Sequence, residues 1–214
     1  MKRLLSYICP VSKKVESDIN GTLELTWYHG KKHLNSKNAN YSYGSLQRIL
    51  KYGLNKIDLS KVNSVLLLGL GGGSVIKTLR KDFKFKKPIT AVDIDPVIIK
   101  IANKEFELYK VKNLQIICQD ALSFVATSQE KFDLIIIDLF VDTQVPDKFL
   151  EFSFWELVLQ LKSTNGIILF NASIENSKNA KLKAIINFLK SHVYKVSTFE
   201  RVNNTNTIII TRPL

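Results

Sequence analysis

The sequence predicts an α/β fold, in which a doubly wound, mostly parallel sheet follows a small N-terminal β element. Two observations support this prediction. Short, unbroken apolar runs recur along the chain, and stretches with the apolar spacing of helices separate them. Strands buried on both faces read as continuous apolar runs, and helical connections between them imply parallel pairing. We expect an N-terminal hairpin element over residues 1–40 and one larger domain over residues 41–214.

An Asn-Gly pair flanked by alternating residues predicts a β-hairpin near the N-terminus. Apolar and polar residues alternate over residues 15–19 and again over residues 23–27, on either side of Asn20 and Gly21. A tight primed turn needs positive φ at both central residues, which Asn-Gly accommodates. A third short strand is expected over residues 32–34, and a helix begins at about Ser42.

The later apolar runs predict the strands of the main sheet. The predicted parallel strands cover residues 65–68, 89–92, 114–117, 134–137 and 167–170. Apolar residues between them recur with helical spacing, as at Val97, Ile101 and Phe106. Two β-rich segments near the end, residues 194–200 and 207–211, flank a polar turn and predict an antiparallel hairpin at one sheet edge.

Composition narrows the class of protein. The 214 residues carry 31 Lys and Arg against 19 Asp and Glu, a formal net charge of +12, but only five of the basic residues are Arg. Scattered Lys usually solvates a surface, so a nucleic-acid partner is disfavoured although the charge leaves it open. Cys9 and Cys118 lack the spacing of a zinc site or a disulfide scaffold. No apolar run approaches the roughly 18 residues of a membrane span. We expect a cytoplasmic protein without a bound metal or a membrane partner.

A glycine-rich loop follows the first strand of the predicted parallel sheet. Residues 69–74 read Gly-Leu-Gly-Gly-Gly-Ser and precede a predicted helix. Glycines allow backbone to approach a ligand closely, and ligands of open parallel sheets bind beyond the carboxyl ends of the strands. The Gly-Lys-Ser/Thr sequence of a phosphate-binding P-loop is absent. The loop therefore predicts contact with a ligand other than a P-loop nucleotide.

Acidic residues follow the next strands. Asp93 ends the second strand, where a carboxylate can accept hydrogen bonds from ribose hydroxyls. Asp95 precedes Pro96 and is expected to cap a helix. Asp120 follows the third strand, where it can reach an adenine amino group while the next backbone N–H meets a ring nitrogen; a helix cap is the alternative.

The fourth strand ends in Asp138, at the mouth of an apolar strand where burial and a cationic ligand would both affect its charge. A phosphate-bearing dinucleotide would need fewer acids and more free N–H groups. Carboxylates around a glycine loop suit a cationic nucleoside, a sulfonium such as S-adenosylmethionine, better than NAD.

These motifs resemble the class I S-adenosylmethionine-dependent transferases, which have a Rossmann-like fold, and among them the spermidine synthase-like group. The resemblance spans roughly residues 14–172 and implies donor contacts at Gly69, Gly71, Gly72, Asp93, Ile94, Asp120 and Ala121. It also implies that Asp138 faces the reacting amine and that Tyr43 lines the site as a second catalytic residue. Members of the group often form dimers, so we expect a homodimer.

Three positions depart from the pattern of that group. Its glycine loop usually carries an Asp for the amino end of a propyl donor, where this chain has Gly72. Its helix start usually reads Tyr-His-Glu, where this chain has Tyr43-Gly44-Ser45. Its second active-site Asp corresponds to Val141, and the nearest acid is Asp142, a candidate substrate-binding residue.

The expected function is transfer of an alkyl group, most simply methyl, from S-adenosylmethionine or its decarboxylated form to a small-molecule acceptor, expected to be an amine. Two alternatives stay open at this point. One is a spermidine synthase-type aminopropyltransferase, and the other is a nucleoside-binding module without turnover.

Overall fold

A computed structural model describes residues 2–36, 45–141, 144–173, 180–192 and 194–214. Its helices are α1 Lys2–Leu5, α2 Ser45–Leu54, α3 Ser74–Lys81, α4 Pro96–Phe106, α5 Ala121–Thr127, α6 Phe152–Leu161 and α7 Ala180–Ser191. Its strands are β1 Val11–Ser17, β2 Gly21–Tyr28, β3 Lys31–Asn35, β4 Val65–Leu68, β5 Ile89–Asp93, β6 Leu114–Cys118, β7 Phe132–Ile137, β8 Lys162–Ser173, β9 Tyr194–Val202 and β10 Asn206–Pro213. The predicted boundary between residues 40 and 41 lies outside the described residues.

The main sheet confirms the predicted doubly wound arrangement. Within the described residues its strand order is β6-β5-β4-β7-β8-β10-β9. The strands from β4 to β8 pair in parallel, whereas β10 pairs antiparallel with both β8 and β9. The late hairpin therefore forms one edge of the sheet, as predicted. The chain order reverses between β4 and β7, which is where open α/β sheets bind ligands.

Helices cover both faces of this sheet because alternate residues of each central strand point to opposite sides. Leu66 and Ile135 belong to a core shared with α5, α6 and α7, whereas Leu67 and Ile136 belong to a core shared with α2, α3 and α4. All four side chains are fully buried. Burial on both faces explains why the sequence shows unbroken apolar runs instead of alternation.

The N-terminal hairpin turns through three residues, so the predicted two-residue Asn-Gly turn was wrong. Ser17 pairs with Gly21, which leaves residues 18–20 as the loop. Of the predicted pair only Gly21 has positive φ, at +63°. The Ser17 hydroxyl accepts hydrogen bonds from the backbone N–H groups of Ile19 and Asn20, each at 3.1 Å. Ile19 therefore lies exposed in the turn instead of continuing the strand.

The same turn contacts the N-terminus of α4, where Asp95 is the predicted helix cap. Its Oδ1 accepts hydrogen bonds from the N–H groups of Val97 at 2.8 Å and Ile98 at 3.3 Å. Its Oδ2 accepts from the Ser17 hydroxyl and from Asn20 Nδ2 at 2.7 Å. The cap prediction is confirmed, and the fully buried carboxylate joins the β1-β2-β3 sheet to the residues that follow β5.

Two further predictions can be compared with the described residues. The antiparallel sheet β1-β2-β3 includes the expected third strand. The predicted helix that follows this sheet is α2, which the structure describes from Ser45 onward. The expected start of the helix at Ser42 lies outside the described residues. Within the part of the chain described, no helix is long and apolar enough to cross a membrane.

Candidate functional site

The register of the main sheet brings the carboxyl ends of five strands into one row. Backbone pairing aligns Ile117, Val92, Leu68, Ile137 and Phe170 across β6, β5, β4, β7 and β8. The residues that follow them are Cys118, Asp93, Gly69, Asp138 and Asn171. The predicted acids on β5 and after β7 therefore flank the start of the glycine loop. We call these five residues the strand-end row.

Gly69 is required where the two central strands end. Its φ is +93°, and a Cβ added there would lie 2.1 Å from the carbonyl oxygen of Asp138. No side chain fits against backbone at that distance, and a positive φ disfavours residues other than glycine. Gly71 also has positive φ, and the buried Gly72 follows it before α3 begins. The glycine loop can therefore pass close to the end of β7, because its glycines present only backbone atoms there.

Asp93 holds the glycine loop. Its Oδ2 accepts hydrogen bonds from the N–H groups of Leu70 at 3.0 Å and Gly71 at 3.2 Å, and its Oδ1 accepts from the N–H of Asp95 at 3.0 Å. Burial raises the pKa of the Asp93 carboxyl, although these backbone donors oppose the rise. A carboxylate offers about four lone-pair positions, so a ribose hydroxyl can still bind. The next side chain, Ile94, is 44% exposed and offers an apolar surface beside this carboxylate.

Asp120 caps α5 and also pairs with a lysine that the sequence gave no reason to choose. Its Oδ1 accepts from the N–H of Ser123 at 3.2 Å, and its Oδ2 lies 2.6 Å from Lys148 Nζ. Burial alone would raise the pKa of Asp120, but the hydrogen bonds from Lys148 and Ser123 outweigh it and lower the pKa. Ala121 is the first residue of the helix. Capping does not exclude adenine contact, because each oxygen retains acceptor capacity.

Asp138 lies directly after β7 and is held from the neighbouring strands. Its backbone N–H donates to the carbonyl of Leu68 at 2.8 Å, and its Oδ1 accepts from Asn171 Nδ2 at 2.8 Å. Burial raises the pKa of the Asp138 carboxyl to about 6, while the hydrogen bond from Asn171 opposes the rise. Asn171 in turn accepts from Asn206 Nδ2 at 2.9 Å. Sequence reasoning missed both asparagines.

The remaining predicted residues cannot be compared with this geometry. Tyr43 and Asp142 lie outside the described residues, so their predicted roles stay predictions. Among the residues that the structure describes, no group of three or more His, Cys, Asp or Glu side chains could hold a metal ion.

The described residues fit a cationic adenosyl donor. Asp93 ends β5 and Asp138 follows β7, on the two sides of β4, and burial raises the pKa of both carboxyl groups. A cation placed between such groups favours their charged forms and is itself stabilised. The exposed Ile94 offers an apolar surface to a nucleoside, and the glycine loop leaves backbone free to approach it.

The chain is similar in sequence to known proteins of one family. The family model of the spermine/spermidine synthase domain matches residues 48–208. The polyamine aminopropyltransferase of Vibrio vulnificus (strain CMCP6) is 29% identical over 114 residues, which make up 52% of this chain and 38% of that protein. The chain spans well under half the length of the curated relatives that it matches.

Two solved structures share the fold. Human methyltransferase-like protein 13, in complex with SAH, superposes with a TM-score of 0.67 at 22% identity, covering 80% of this chain and 83% of that one. A spermidine synthase in complex with the transition-state analogue AdoDATO superposes with a TM-score of 0.70 at 13% identity, covering 94% of this chain and 72% of that one. At such identities the likeness demonstrates the fold alone.

Proposed function

The chain belongs to the spermine/spermidine synthase domain family, and we propose that it transfers a methyl group from S-adenosylmethionine to an amine acceptor. The observation that carries the proposal is the strand-end row, in which Asp93 and Asp138 flank Gly69. Desolvated carboxylates on both sides of a glycine loop suit a positively charged nucleoside, and they suit a dinucleotide with two phosphates poorly.

Donor binding is assigned to the β4, β5 and β6 side of the row. Asp93 accepts from the ribose hydroxyls, Asp120 accepts from the adenine amino group, and the Ala121 N–H donates to the adenine ring. Ile94 contacts the nucleoside through its exposed apolar side chain. The glycine loop, with Gly69, Gly71 and Gly72, lets the backbone approach the donor.

The chemistry then depends mainly on alignment. When bound, the donor supplies a carbon whose leaving group is already activated by the positive charge on sulfur. Orientation of the reacting groups can supply roughly 7–11 kcal/mol of the barrier. The attacking amine must be neutral, and Asp138 accepts or orients its proton. A pKa of about 6 leaves Asp138 charged at pH 7 while keeping it basic enough for this task.

Residues outside the described part of the chain complete the acceptor side of the proposal. Tyr43 serves as a second hydrogen-bonding partner of the amine, and Asp142 contributes to binding of the acceptor. Both assignments rest on the resemblance to the family.

Gly72 supports methyl transfer over aminopropyl transfer. The family usually has an Asp at this position for the amino end of the propyl donor, and glycine has no side chain to replace it. Aminopropyl transfer from decarboxylated S-adenosylmethionine is the second candidate. The family model and the aminopropyltransferase of Vibrio vulnificus favour it.

Separate calorimetric titrations of S-adenosylmethionine and its decarboxylated form test the donor. We expect tighter binding of S-adenosylmethionine, and preference for the decarboxylated form would replace our proposal with aminopropyl transfer. Asp93→Asn should weaken binding while keeping one acceptor oxygen for the loop. Asp133→Asn is the matched control because Asp133 lies at the opposite end of β7. Absence of heat with either donor would refute the proposal.

The acceptor is tested with isotope-labelled S-adenosylmethionine and a panel of diamines, lysine-containing peptides and RNA. We expect label on an amine. Label on RNA, with binding that falls steeply as salt rises, would instead indicate a nucleic-acid methyltransferase, which the +12 charge leaves open. Tight donor binding with no labelled product would favour the non-catalytic nucleoside-binding module.

The proposal also includes a cytoplasmic homodimer. Light scattering should then give twice the chain mass of 24.4 kDa, and a monomer at working concentrations would contradict it.

A further inference from the structure

Three side chains on neighbouring strands form a hydrogen-bonded chain that ends on Asp138. Asn206 at the start of β10 donates from Nδ2 to Asn171 Oδ1 at 2.9 Å. Asn171 near the end of β8 donates from Nδ2 to Asp138 Oδ1 at 2.8 Å. Asn171 is fully buried. A buried amide is costly unless its polar atoms are bonded, so both contacts contribute to keeping the site intact.

The hydrogen-bonded chain has a direction because an amide has one acceptor oxygen and one donor nitrogen. Asn206 occupies the oxygen of Asn171 as a donor, and the nitrogen of Asn171 must therefore point toward Asp138. Without Asn206, the donor end of the Asn171 amide would be selected only by Asp138, whose ionised carboxylate accepts hydrogen bonds but cannot donate them. Asn206 thus reinforces the orientation in which the Asn171 nitrogen meets Asp138.

We propose that Asn171 is a positioning residue for Asp138 and that Asn206 acts through Asn171. This inference rests on the proposed function only where it assigns proton transfer to Asp138; the hydrogen-bonded chain itself does not depend on that assignment. Oδ1 is occupied by Asn171, and Oδ2 accepts no hydrogen bond from the residues that the structure describes. The geometry therefore directs Oδ2 to the proton of the acceptor amine.

The surroundings of Asp138 leave Asn171 as its principal polar partner. The adjacent strands β4 and β8 contribute Gly69 and Asn171 to the strand-end row, and both are uncharged. The next acidic group in that row is Asp93, on the far side of β4. Burial raises the pKa of Asp138 and the Asn171 hydrogen bond lowers it, with no charged side chain among the described residues contributing to the change.

A titration of Asp138 tests the inference without an assay for activity. The 214-residue chain, labelled with ¹³C at the aspartate carboxyl groups, is titrated by NMR, and Asp138→Asn assigns the resonance. Loss of a hydrogen bond to a charged group should raise the Asp138 pKa by about one pH unit in Asn171→Leu. Asn206→Ala should raise it in the same direction by less, since Asn171 remains present.

Thr207→Val is the matched control. Thr207 is buried beside Asn206 on β10, and its hydroxyl has no hydrogen-bond partner among the described residues. Neighbouring residues of a strand point to opposite faces, so this substitution should leave the Asp138 titration unchanged.

The double variant tests whether Asn206 acts through Asn171. In the Asn171→Leu background, Asn206→Ala should add no further change to the Asp138 pKa. An unchanged titration in Asn171→Leu would overturn the inference, as would an additive effect of Asn206→Ala. If Asn171→Leu fails to fold, Asn206→Ala alone still decides between a raised and an unchanged pKa.

Activity measurements distinguish a failure of this inference from a failure of the proposed function. Where the labelled-donor assay detects turnover, the acidic limb of kcat/KM should move to higher pH in Asn171→Leu by the same amount as the Asp138 titration, with donor affinity unchanged. A titration that moves while Asp138→Asn retains full turnover would keep the hydrogen-bonded chain and refute the catalytic role of Asp138.

Discussion

The two sides of the strand-end row are held in different ways. On the β5 and β6 side, Asp93 and Asp120 accept hydrogen bonds from backbone N–H groups of the glycine loop and of the first turn of α5. On the β7 side, the described polar contact of the Asp138 carboxylate comes from the side chain of Asn171, which Asn206 orients. The first side is held mainly by backbone and the second by side chains.

This difference has a consequence for how the site can change. Backbone donors persist in any sequence that keeps the fold, so the proposed donor side is tied to the architecture itself. A side-chain donor disappears with one substitution, which leaves the proposed acceptor side free to vary. We therefore expect substitutions on the two sides to affect different steps, with donor affinity on one side and the proton-transfer group on the other.

Asp138→Asn should give the largest effect. Loss of the proton acceptor is expected to lower kcat about 10²–10⁴-fold, while donor affinity measured by calorimetry stays the same. A loss of donor affinity as large as the loss of kcat would contradict the division into two sides. Asp133→Asn, which removes an acid from the other end of β7, is the control for a general effect of charge.

The same variant should be more stable than the parent protein at neutral pH. The pKa of Asp138 is about 6 in the folded protein against an ordinary value of 3.8, so the folded state binds more protons between those values. Stability from this group is complete below about pH 4 and falls as pH rises through about 6. Urea denaturation should therefore show nearly equal stabilities near pH 4 and an advantage of about 3 kcal/mol for Asp138→Asn above pH 6.5.

Gly69→Ala should give the next largest effect, because Gly69 lies between the two sides of the strand-end row. Its Cβ would meet the Asp138 carbonyl at 2.1 Å, and its φ of +93° adds backbone strain. We expect a loss of about 3 kcal/mol or more in the free energy of unfolding. Gly21→Ala is the matched control, since Gly21 also has positive φ but nothing lies within 4 Å of the added Cβ. It should cost about 1 kcal/mol, and equal losses would show that crowding at Gly69 is unimportant.

Asp93→Asn should give the next effect, on donor affinity. The variant keeps one acceptor oxygen for the loop but removes the charge that faces ribose and the cationic donor. A hydrogen bond to a charged group contributes about 1.5–3 kcal/mol, so we expect calorimetry to show a loss of affinity of roughly 10- to 100-fold. The Asp138 titration should stay unchanged. A shift in the Asp138 titration would indicate that Asp93 and Asp138 are coupled across β4. It would contradict the division of the strand-end row into two independent sides.

Local patterns explain which parts of the structure the sequence could predict. Apolar runs predicted β4, β5 and β7 because these central strands are buried on both faces. The Asp-Pro pair predicted the cap at Asp95 because the capping bonds are local. The hairpin turn was mispredicted because the Ser17 hydroxyl binds two N–H groups of the loop. The propensity of an Asn-Gly pair contains no information about that competing side chain.

Contacts between distant residues of the chain explain what the sequence could not predict. Asn171 and Asp138 are 33 residues apart, and Asn206 and Asn171 are 35 apart. Each contact depends on which strands become neighbours, and the antiparallel insertion of β10 beside β8 is not encoded in any local period. The acids of the site could be chosen from their positions at strand ends, but their partners required the strand order.

Lys148→Ala should give the smallest effect. It tests the ion pair between Lys148 and Asp120, which is a side-chain contact on the donor side that is otherwise held by backbone N–H groups. Lys148 is the one described side chain that forms an ion pair with Asp120, and 46% of its side chain is exposed. Because the pKa of Asp120 is lowered in the folded protein, the pair stabilises the fold above the ordinary carboxyl pKa, and this stability is lost as pH falls through the lowered value. Exposure and salt limit the contribution to about 0.5 kcal/mol.

Urea denaturation at low salt should show that difference at pH 6, and it should vanish in high salt and at strongly acidic pH. Donor affinity should change by less than about threefold, since the backbone N–H of Ser123 still holds Asp120. A tenfold change in donor affinity would mean that the donor side depends on a side-chain partner as strongly as Asp138 depends on Asn171. The contrast between a backbone-held side and a side-chain-held side would then fail.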